Sequence, residues 1–583
     1  MADQYSSLSE VASYAWRHDR TDRVVPAGKG LSAPLRARRA RATAINLERT
    51  LHTNHATGRL SCPPNPALFT LLYEKQAERD QAEVLPHLLQ IDAAHLLMLS
   101  RAQLIPKKTA AQLLRVNGEL WDLVSKGDMP IPMPKPHRGF YLLYEREYIR
   151  RLGKQVGGAA HLARSRNDIN ATVTRLRLRK QLLDLLEVFC ALSNAMVNVA
   201  DTHAATFLCG FTHQQPAQPS TLGHYFAGTL AELMRSAELL DRAFDLVNVC
   251  PMGAAAGFGT SFPIARGEVA QSLGFAGIVE NSADAVASRD YIVHVLSSMA
   301  MLGATLTRIS TDLGNWSNQM YGFIGWEDDL VSTSSIMPQK RNAFVLENIR
   351  GEAIQPMGCL LNTLTGMKNL SFSNSVELSA EATSHVWAGL TSLQQAMRLT
   401  RILIENLQVD SDRMLQCLLN TQVSMTALTD WLVARHGMGF RRAHDAVSRL
   451  VNRYPTIPGT IELKAALEQI LADDLDEDLD DVPEREPSRS NGKANRIQSS
   501  RIKINHNELA SVIDPIRCAE RAVYGGGPAP VSVRAQLRSL ARRTASLEDH
   551  RRRRSRQIRD AGAELRKAQA ELVSKILKAK GVA

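Results

Sequence analysis

An all-α fold is what this chain's composition and periodicity predict, in the form of an elongated subunit built on a central bundle of long helices. Hydrophobic residues make up 44% of the 583 positions and aromatics only 5%, a balance rich in Ala, Leu and Arg that favours helices over sheets. From Leu178 the apolar positions run Leu182, Leu185, Phe189, Leu192, Met196 and Val199, alternating steps of four and three. A second run, Ile292, Val295, Met299, Leu302, Leu306, Ile309 and Leu313, repeats the pattern. It needs roughly 30 Å of partner helix to cover it.

The remaining elements follow in order. Residues 1–65 form an Arg-rich, turn-rich extension with a cluster at Arg36, Arg38, Arg39 and Arg41, read as a solvated arm in preference to a nucleic-acid or membrane contact. An N-terminal helical domain spans 66–170 and the long-helix bundle 171–400, with a loop at 321–342. A small C-terminal helical domain covers 401–545; it is broken at Gly437 and Gly439 and carries an acidic linker at 473–492. Residues 546–583, with Arg551 to Arg554 and a weak period from Ile558 to Leu572, form a basic terminal helix.

Charge and cysteines narrow the function classes. The chain carries 70 Lys plus Arg against 59 Asp plus Glu, a net +11 that suits small anions such as carboxylates, although sign alone does not choose the partner. Seven dispersed cysteines without a C-x-x-C pair argue against disulfides and zinc. No apolar run approaches the roughly 20 residues of a membrane span and the polar N-terminus lacks a signal-peptide layout, so a cytoplasmic protein is expected.

Three polar segments interrupt or flank the long helices. His161 to Asp168 precedes the Leu178 helix; its guanidinium, hydroxyl and amide groups could hold a carboxylate, or Ser165 and Asp168 could simply cap the helix. Gly210 to Pro219 offers His213, either a proton carrier or a hydrogen-bonded structural residue. Ser332 to Asn342 reads as a mobile loop entering a helix, where free N–H groups and Lys340 suit a developing anion.

Ser-Ser-Ile-Met-Pro-Gln-Lys-Arg-Asn at 334–342 resembles the G-S-S-x-M-P-x-K-x-N signature of the fumarase, aspartase and argininosuccinate lyase superfamily. Ser165-Arg166-Asn167-Asp168 resembles its S-R-N-D, and Thr212-His213 with Ala217-Gln218-Pro219 its T-H-x-x-x-A-Q-P. Asn281 to Asp290 and Gly437 to His444 also look like the argininosuccinate lyase branch, and the resemblance covers about residues 70–545. It implies a homotetramer whose helical core brings the three segments together from three subunits, acting on a small dicarboxylate-containing substrate. In that scheme Ser334 is the base, Lys340 and Asn342 hold the aci-carboxylate, His213 supports it and Glu347 partners His213. Substrate contacts fall on Ser165, Arg166, Asn167, Thr212, Gln218, Ser335 and Met337. No cofactor or metal is expected, and no nucleic acid or membrane partner.

The chain departs from that pattern where the family grips arginine. The family's Tyr, Gln and Lys align with Ser371, Val376 and Ser379, and its N-terminal Ser and Asp with Glu78 and Ala82. Gly139 to Glu145 is more aromatic than the family's D-x-H-T, Thr333 replaces a loop glycine, and Ala343 replaces a proline. The sequence thus points to a C–N lyase on an N-substituted aspartate whose amine is not arginine. Argininosuccinate itself is the close alternative and a non-catalytic homologue the remote one.

Overall fold

The computed structural model describes residues 62–454, 456–480 and 503–577, with side chains omitted over 474–480. The arginine cluster at 36–41 and the acidic stretch from 481 to 492 lie outside the described residues. The described residues divide into two compact units, one made of 62–78 with 132–143, the other of 79–131 with those from 144 to 577. In the first, the Phe69 ring meets His137 edge-on at 4.9 Å and Arg138 donates to the Cys62 carbonyl.

The second unit is predominantly helical, as composition and periodicity predict. It contains α1 (Leu85–Arg101) and α2 (Lys107–Ser125), then α3 (Phe140–Gly157) from Tyr144 onward, and the 37-residue α4 (Arg166–Thr202). After α4 the antiparallel hairpin of β1 (Phe207–Thr212) and β2 (Gln215–Thr221) intervenes before α5 (Leu222–Val247) and the 28-residue α6 (Asp290–Ser317). Two-residue strands β3 (Ser332–Thr333) and β4 (Arg341–Asn342) pair with each other. The chain continues through α7 (Phe344–Ala353), α8 (Gln355–Met367) and α9 (Ala382–Glu405). Then come α10 (Met425–His436), α11 (Phe440–Arg453), α12 (Thr460–Asp480) and the 48-residue α13 (Pro530–Leu577).

Both periodic runs face the core. Leu178 to Met196 on α4 and Ile292 to Leu313 on α6 join one cluster with α5, α7, α9 and the start of α13. An 18-residue window in each of α4 and α6 is apolar enough to cross a membrane, more than the sequence reading allowed, but 61% of each window is buried inside the protein, as in the core helices of a bundle. A second core gathers Leu428, Leu432, Leu450, Leu467 and Leu509 from α10, α11, α12 and the helix His506–Ile513. Gly437, in the left-handed region at φ 65°, ends α10 at the expected break.

The helices pack closely where glycine permits. A Cβ on Gly303 of α6 would lie 1.9 Å from the Ala353 carbonyl oxygen at the end of α7. Gly303→Ala is therefore expected to cost about 1–3 kcal/mol, read as a fall in the denaturation midpoint; an unchanged midpoint would mean that α6 and α7 separate freely.

Three local readings change. The polar segment between α4 and α5 is a β-hairpin: Pro216 and Pro219 deny a helix its N–H groups, and His213 (φ 52°) and Gln214 (φ 63°) turn the chain back. The acidic stretch from Asp473 continues α12 to Asp480 before leaving the described residues, despite the low helix propensity of aspartate, because it extends a helix already nucleated and packed through Leu463, Leu467 and Leu471. The terminal helix starts at Pro530, not at 546, and is no solvated appendage. Leu537, Leu540 and Leu547 pack into the bundle, and Arg543 forks onto Glu238 at 2.7 and 2.8 Å. Arg554 pairs with Asp241 and Asp245 and lies over the Phe244 ring.

Candidate active site

Ser165 caps α4, and Asp168 returns the bond by accepting from the Ser165 N–H at 2.9 Å, a reciprocal box that fixes where the helix begins. The capping alternative is thus realised for these two residues. The other Asp168 oxygen accepts from the Gly253 and Ala255 N–H groups, both at 2.9 Å. Burial outweighs these three donors and pushes the Asp168 carboxyl up to about 6. Capping leaves the neighbours available: Arg166 is exposed and makes no hydrogen bond or ion pair among the described residues. Asn167 donates to the Ala256 carbonyl at 3.2 Å and accepts from Asn374 at 3.1 Å.

Two tethers hold the chain just before this box. Arg164 meets Asp92 of α1 at 2.6 Å with both side chains buried, and His95, one turn on, donates from Nε2 to the Leu162 carbonyl at 2.8 Å. Burial drives His95 down to about 3, and burial followed by the Arg164 charge drives His161 down to about 4. The unfolded chain takes up protons at these two histidines near pH 6.5 and the folded one refuses them. This stability is complete above that pH and is lost as pH falls toward 4. His95→Gln, which can keep the donor to Leu162, is expected to flatten the fall of the thermal midpoint between pH 6.5 and 4; an unchanged slope would place the acid sensitivity elsewhere.

The second segment is presented by the β1–β2 hairpin. Thr212 pairs with Gln215 across the tip, and His213 and Gln214 occupy the two turn positions. Left-handed backbone at a histidine and a glutamine costs on the order of 1 kcal/mol each, which the flanking ladder imposes. His213, Thr212 and Gln218 are all exposed, and His213 has no hydrogen-bond partner among the described residues. Under the hairpin lies a cavity of about 750 Å³ that Thr212 and Gln218 help to line. Its charged groups already have partners, Arg308 on Glu232 at 2.8 Å and Asp312 accepting from the Tyr225 hydroxyl at 2.9 Å. Ser334, Lys340 and Asn342 do not line it.

The third segment is a loop on a two-rung stem. Ser332 pairs with Asn342 and Thr333 with Arg341. Arg341 anchors the stem by donating to the Trp326 carbonyl at 2.9 Å and pairing with Asp328 at 2.8 Å, while the buried Trp326 ring donates to the Leu403 carbonyl. The expected entry straight into a helix is interrupted, since β4 separates Lys340 from α7. The loop's free N–H groups aim at Ser334 itself, whose Oγ accepts from Met337 at 3.1 Å and Ile336 at 3.4 Å. Ser335, Met337 and Lys340 are exposed, as is Glu347 in the first turn of α7.

Within one chain and among the described residues, Ser334, Lys340 and Asn342 share no hydrogen bond or ion pair with Thr212, His213, Arg166 or Asn167. Two contributors escaped the sequence reading. The 252–260 stretch wraps the N-terminus of α4 with Gly253, Gly257 and Gly259 at positive φ, and its glycine spacing was the available signal. Asn374 sits in a polar run, Ser371 to Ser375, that gives no hint of Asn167 as its partner.

A family model described as Lyase matches residues 100–358. Argininosuccinate lyase 1 of Shouchella clausii is 30% identical over 85% of this chain and 94% of its own length. The argininosuccinate lyase of Methanothrix thermoacetophila is 33% identical over 77% and 85%. Among solved structures, an EDDS lyase in complex with formate superposes with a TM-score of 0.73 at 26% identity, covering 85% of this chain and 93% of that one. The class II fumarase of Schistosoma mansoni, at 15% identity, a TM-score of 0.59 and coverage of 77% and 95%, shares the fold.

Proposed function

Because the chain belongs to the fumarase and aspartase superfamily, in its argininosuccinate lyase branch, we propose that it eliminates an amine from an N-substituted aspartate and releases fumarate. The observation that carries this is Ser334: two backbone N–H groups already point at its Oγ, favouring the alkoxide that a serine base must become. Ser334 Oγ takes the proton from the carbon beside the distal carboxylate. The electron pair moves into that carboxylate as an aci-carboxylate held by Lys340 and Asn342. It then returns to form the double bond as the C–N bond breaks, and the nitrogen leaves with the bonding pair and picks up a proton. Arg166, Asn167 and Thr212 hold the carboxylates, with Ser165 fixing their helix and Gln218, Ser335 and Met337 bounding the site. His213, partnered by Glu347, supports the proton transfer. The electrons balance without a cofactor.

The site is completed by other copies of the chain in a homotetramer, in the cytoplasm. In support, α8 leaves one apolar stripe uncovered, formed by Ile354, Met357, Leu361 and Leu364, each at least 42% exposed. Three subunits then bring the hairpin tip, the Ser165 box and the Ser334 loop to one substrate.

The amine half is not arginine in this reading. Val376 offers only an exposed apolar side chain, and the Ser379 hydroxyl is committed to the Ser375 carbonyl at 2.7 Å, leaving no acidic or amide group from those positions for a guanidinium. Incubating the full chain with fumarate and a library of amines, with mass detection of the addition products, identifies the amine. Addition of amines other than arginine is expected; addition of arginine alone would return the specificity to argininosuccinate.

A further inference from the structure

The terminal helix reaches the substrate-binding box through a buried polar chain. Gln569, 4% exposed on α13, donates from Nε2 to the Leu114 carbonyl at 2.8 Å and to Asn117 Oδ1 at 3.0 Å. Asn117, fully buried on α2, donates from Nδ2 to the Tyr148 hydroxyl of α3 at 3.0 Å. Tyr148 meets the Tyr144 hydroxyl at 3.0 Å, and Tyr144 meets Asp92 at 2.5 Å. Asp92 grips Arg164, the residue before Ser165.

The direction of every bond in this chain is fixed. Tyr144 has one proton and gives it to a carboxylate that can only accept, so Tyr148 must donate to Tyr144. Tyr148 then needs a donor, which is the Asn117 amide, and the Asn117 oxygen needs one too, which is Gln569. Each link has a single polarity, so losing the first donor leaves the buried Asn117 oxygen unpaired and loosens the amide, which is then held only by its own donors to the Tyr148 hydroxyl at 3.0 Å and the Leu89 carbonyl at 3.1 Å. Gly118 leaves the room for this docking, since a Cβ there would stand 3.2 Å from Gln569 Nε2. Gln569 also lies beyond the part of the sequence, up to about residue 545, that resembles the lyase family.

We infer that Gln569 is a positioning residue, and that the terminal part of α13 is a strut that sets the Arg164–Asn167 segment for its carboxylate through this hydrogen-bond chain. The inference rests on the proposed function only in taking that segment as the carboxylate site. Arg566, one turn earlier on α13, docks the same helix by pairing with Asp122 and lying 4.5 Å from the Trp121 ring centroid, but it is outside the chain.

The test measures fumarate affinity by calorimetry in full-length Gln569→Leu, Tyr148→Phe and Arg566→Ala proteins, together with amide exchange at residues 164–168. Gln569→Leu and Tyr148→Phe are expected to weaken fumarate binding roughly tenfold or more and to speed exchange in that segment, while Arg566→Ala does neither, even where it lowers the melting temperature equally. Tyr148→Phe, which removes one hydroxyl at nearly constant volume, decides the matter if Gln569→Leu does not fold. Unchanged fumarate affinity in the folded variants would overturn the strut while leaving the lyase reading intact. Equal loss in Arg566→Ala would reduce α13 to general support and overturn it as well. A wild-type protein that does not bind fumarate would overturn the functional reading and the inference with it.

Discussion

Replacing Ser334 with alanine is expected to lower kcat by about three orders of magnitude while the protein stays folded and assembled. The residue sits on an exposed loop whose stem is held by Arg341, Trp326 and the β3–β4 pairs, none of which uses the serine hydroxyl. Removing Oγ costs the two loop N–H groups an acceptor that water replaces at once, so stability should change by less than about 1 kcal/mol. The chemistry loses its base. Positioned proton transfer is worth roughly 10²–10⁴ in rate, and the carbon acid beside a carboxylate is weak enough to need most of that. Fumarate affinity should be nearly unchanged, because its carboxylates are held by Arg166, Asn167, Thr212, Lys340 and Asn342. Steady-state kinetics with fumarate detection checks this. Turnover within tenfold of wild type in an intact oligomer would mean that another group takes the proton.

Mixing two inactive variants should restore activity. His213→Asn removes the imidazole from the hairpin tip and Ser334→Ala the hydroxyl from the loop. No hydrogen bond or ion pair among the described residues links the two within a chain; His213 is exposed and Ser334 half-buried. If each site draws these groups from different subunits, random reassembly of equal amounts gives about a quarter of the sites both intact groups. The expected result is recovery from near zero to about a quarter of wild-type turnover after co-expression. No recovery, with mixed oligomers demonstrated by differently tagged chains, would place both groups on one subunit and contradict the shared site.

What could be read in advance follows from how local each signal is. The long helices were legible because Leu178 to Met196 and Ile292 to Leu313 keep one face apolar for several turns, and no tertiary contact was needed to see it. The Ser165–Asp168 box was legible as a spacing of three residues. The hairpin at Phe207–Thr221 was not, because its turn uses His213 and Gln214 where Asn and Gly would announce a reversal. The start of α13 was missed because Arg543, Arg551 and Arg554 look solvated in sequence and become partners of Glu238, Glu187 and Asp241 only across 305, 364 and 313 residues of chain. The contact between Asn374 and Asn167 spans 207 residues and that between Gln569 and Asn117 spans 452. Pairings of neutral amides at such separations leave no pattern in one sequence.

Breakage of a C–N bond in an N-substituted aspartate at this site is seen directly in the ultraviolet absorbance of the fumarate released. Purified full-length protein would be offered argininosuccinate, ethylenediamine disuccinate and other N-substituted aspartates in parallel. A steady rise is expected with at least one substrate other than argininosuccinate, abolished by Ser334→Ala. Absorbance that stays flat with every member of the panel, from a folded and assembled protein, would contradict it.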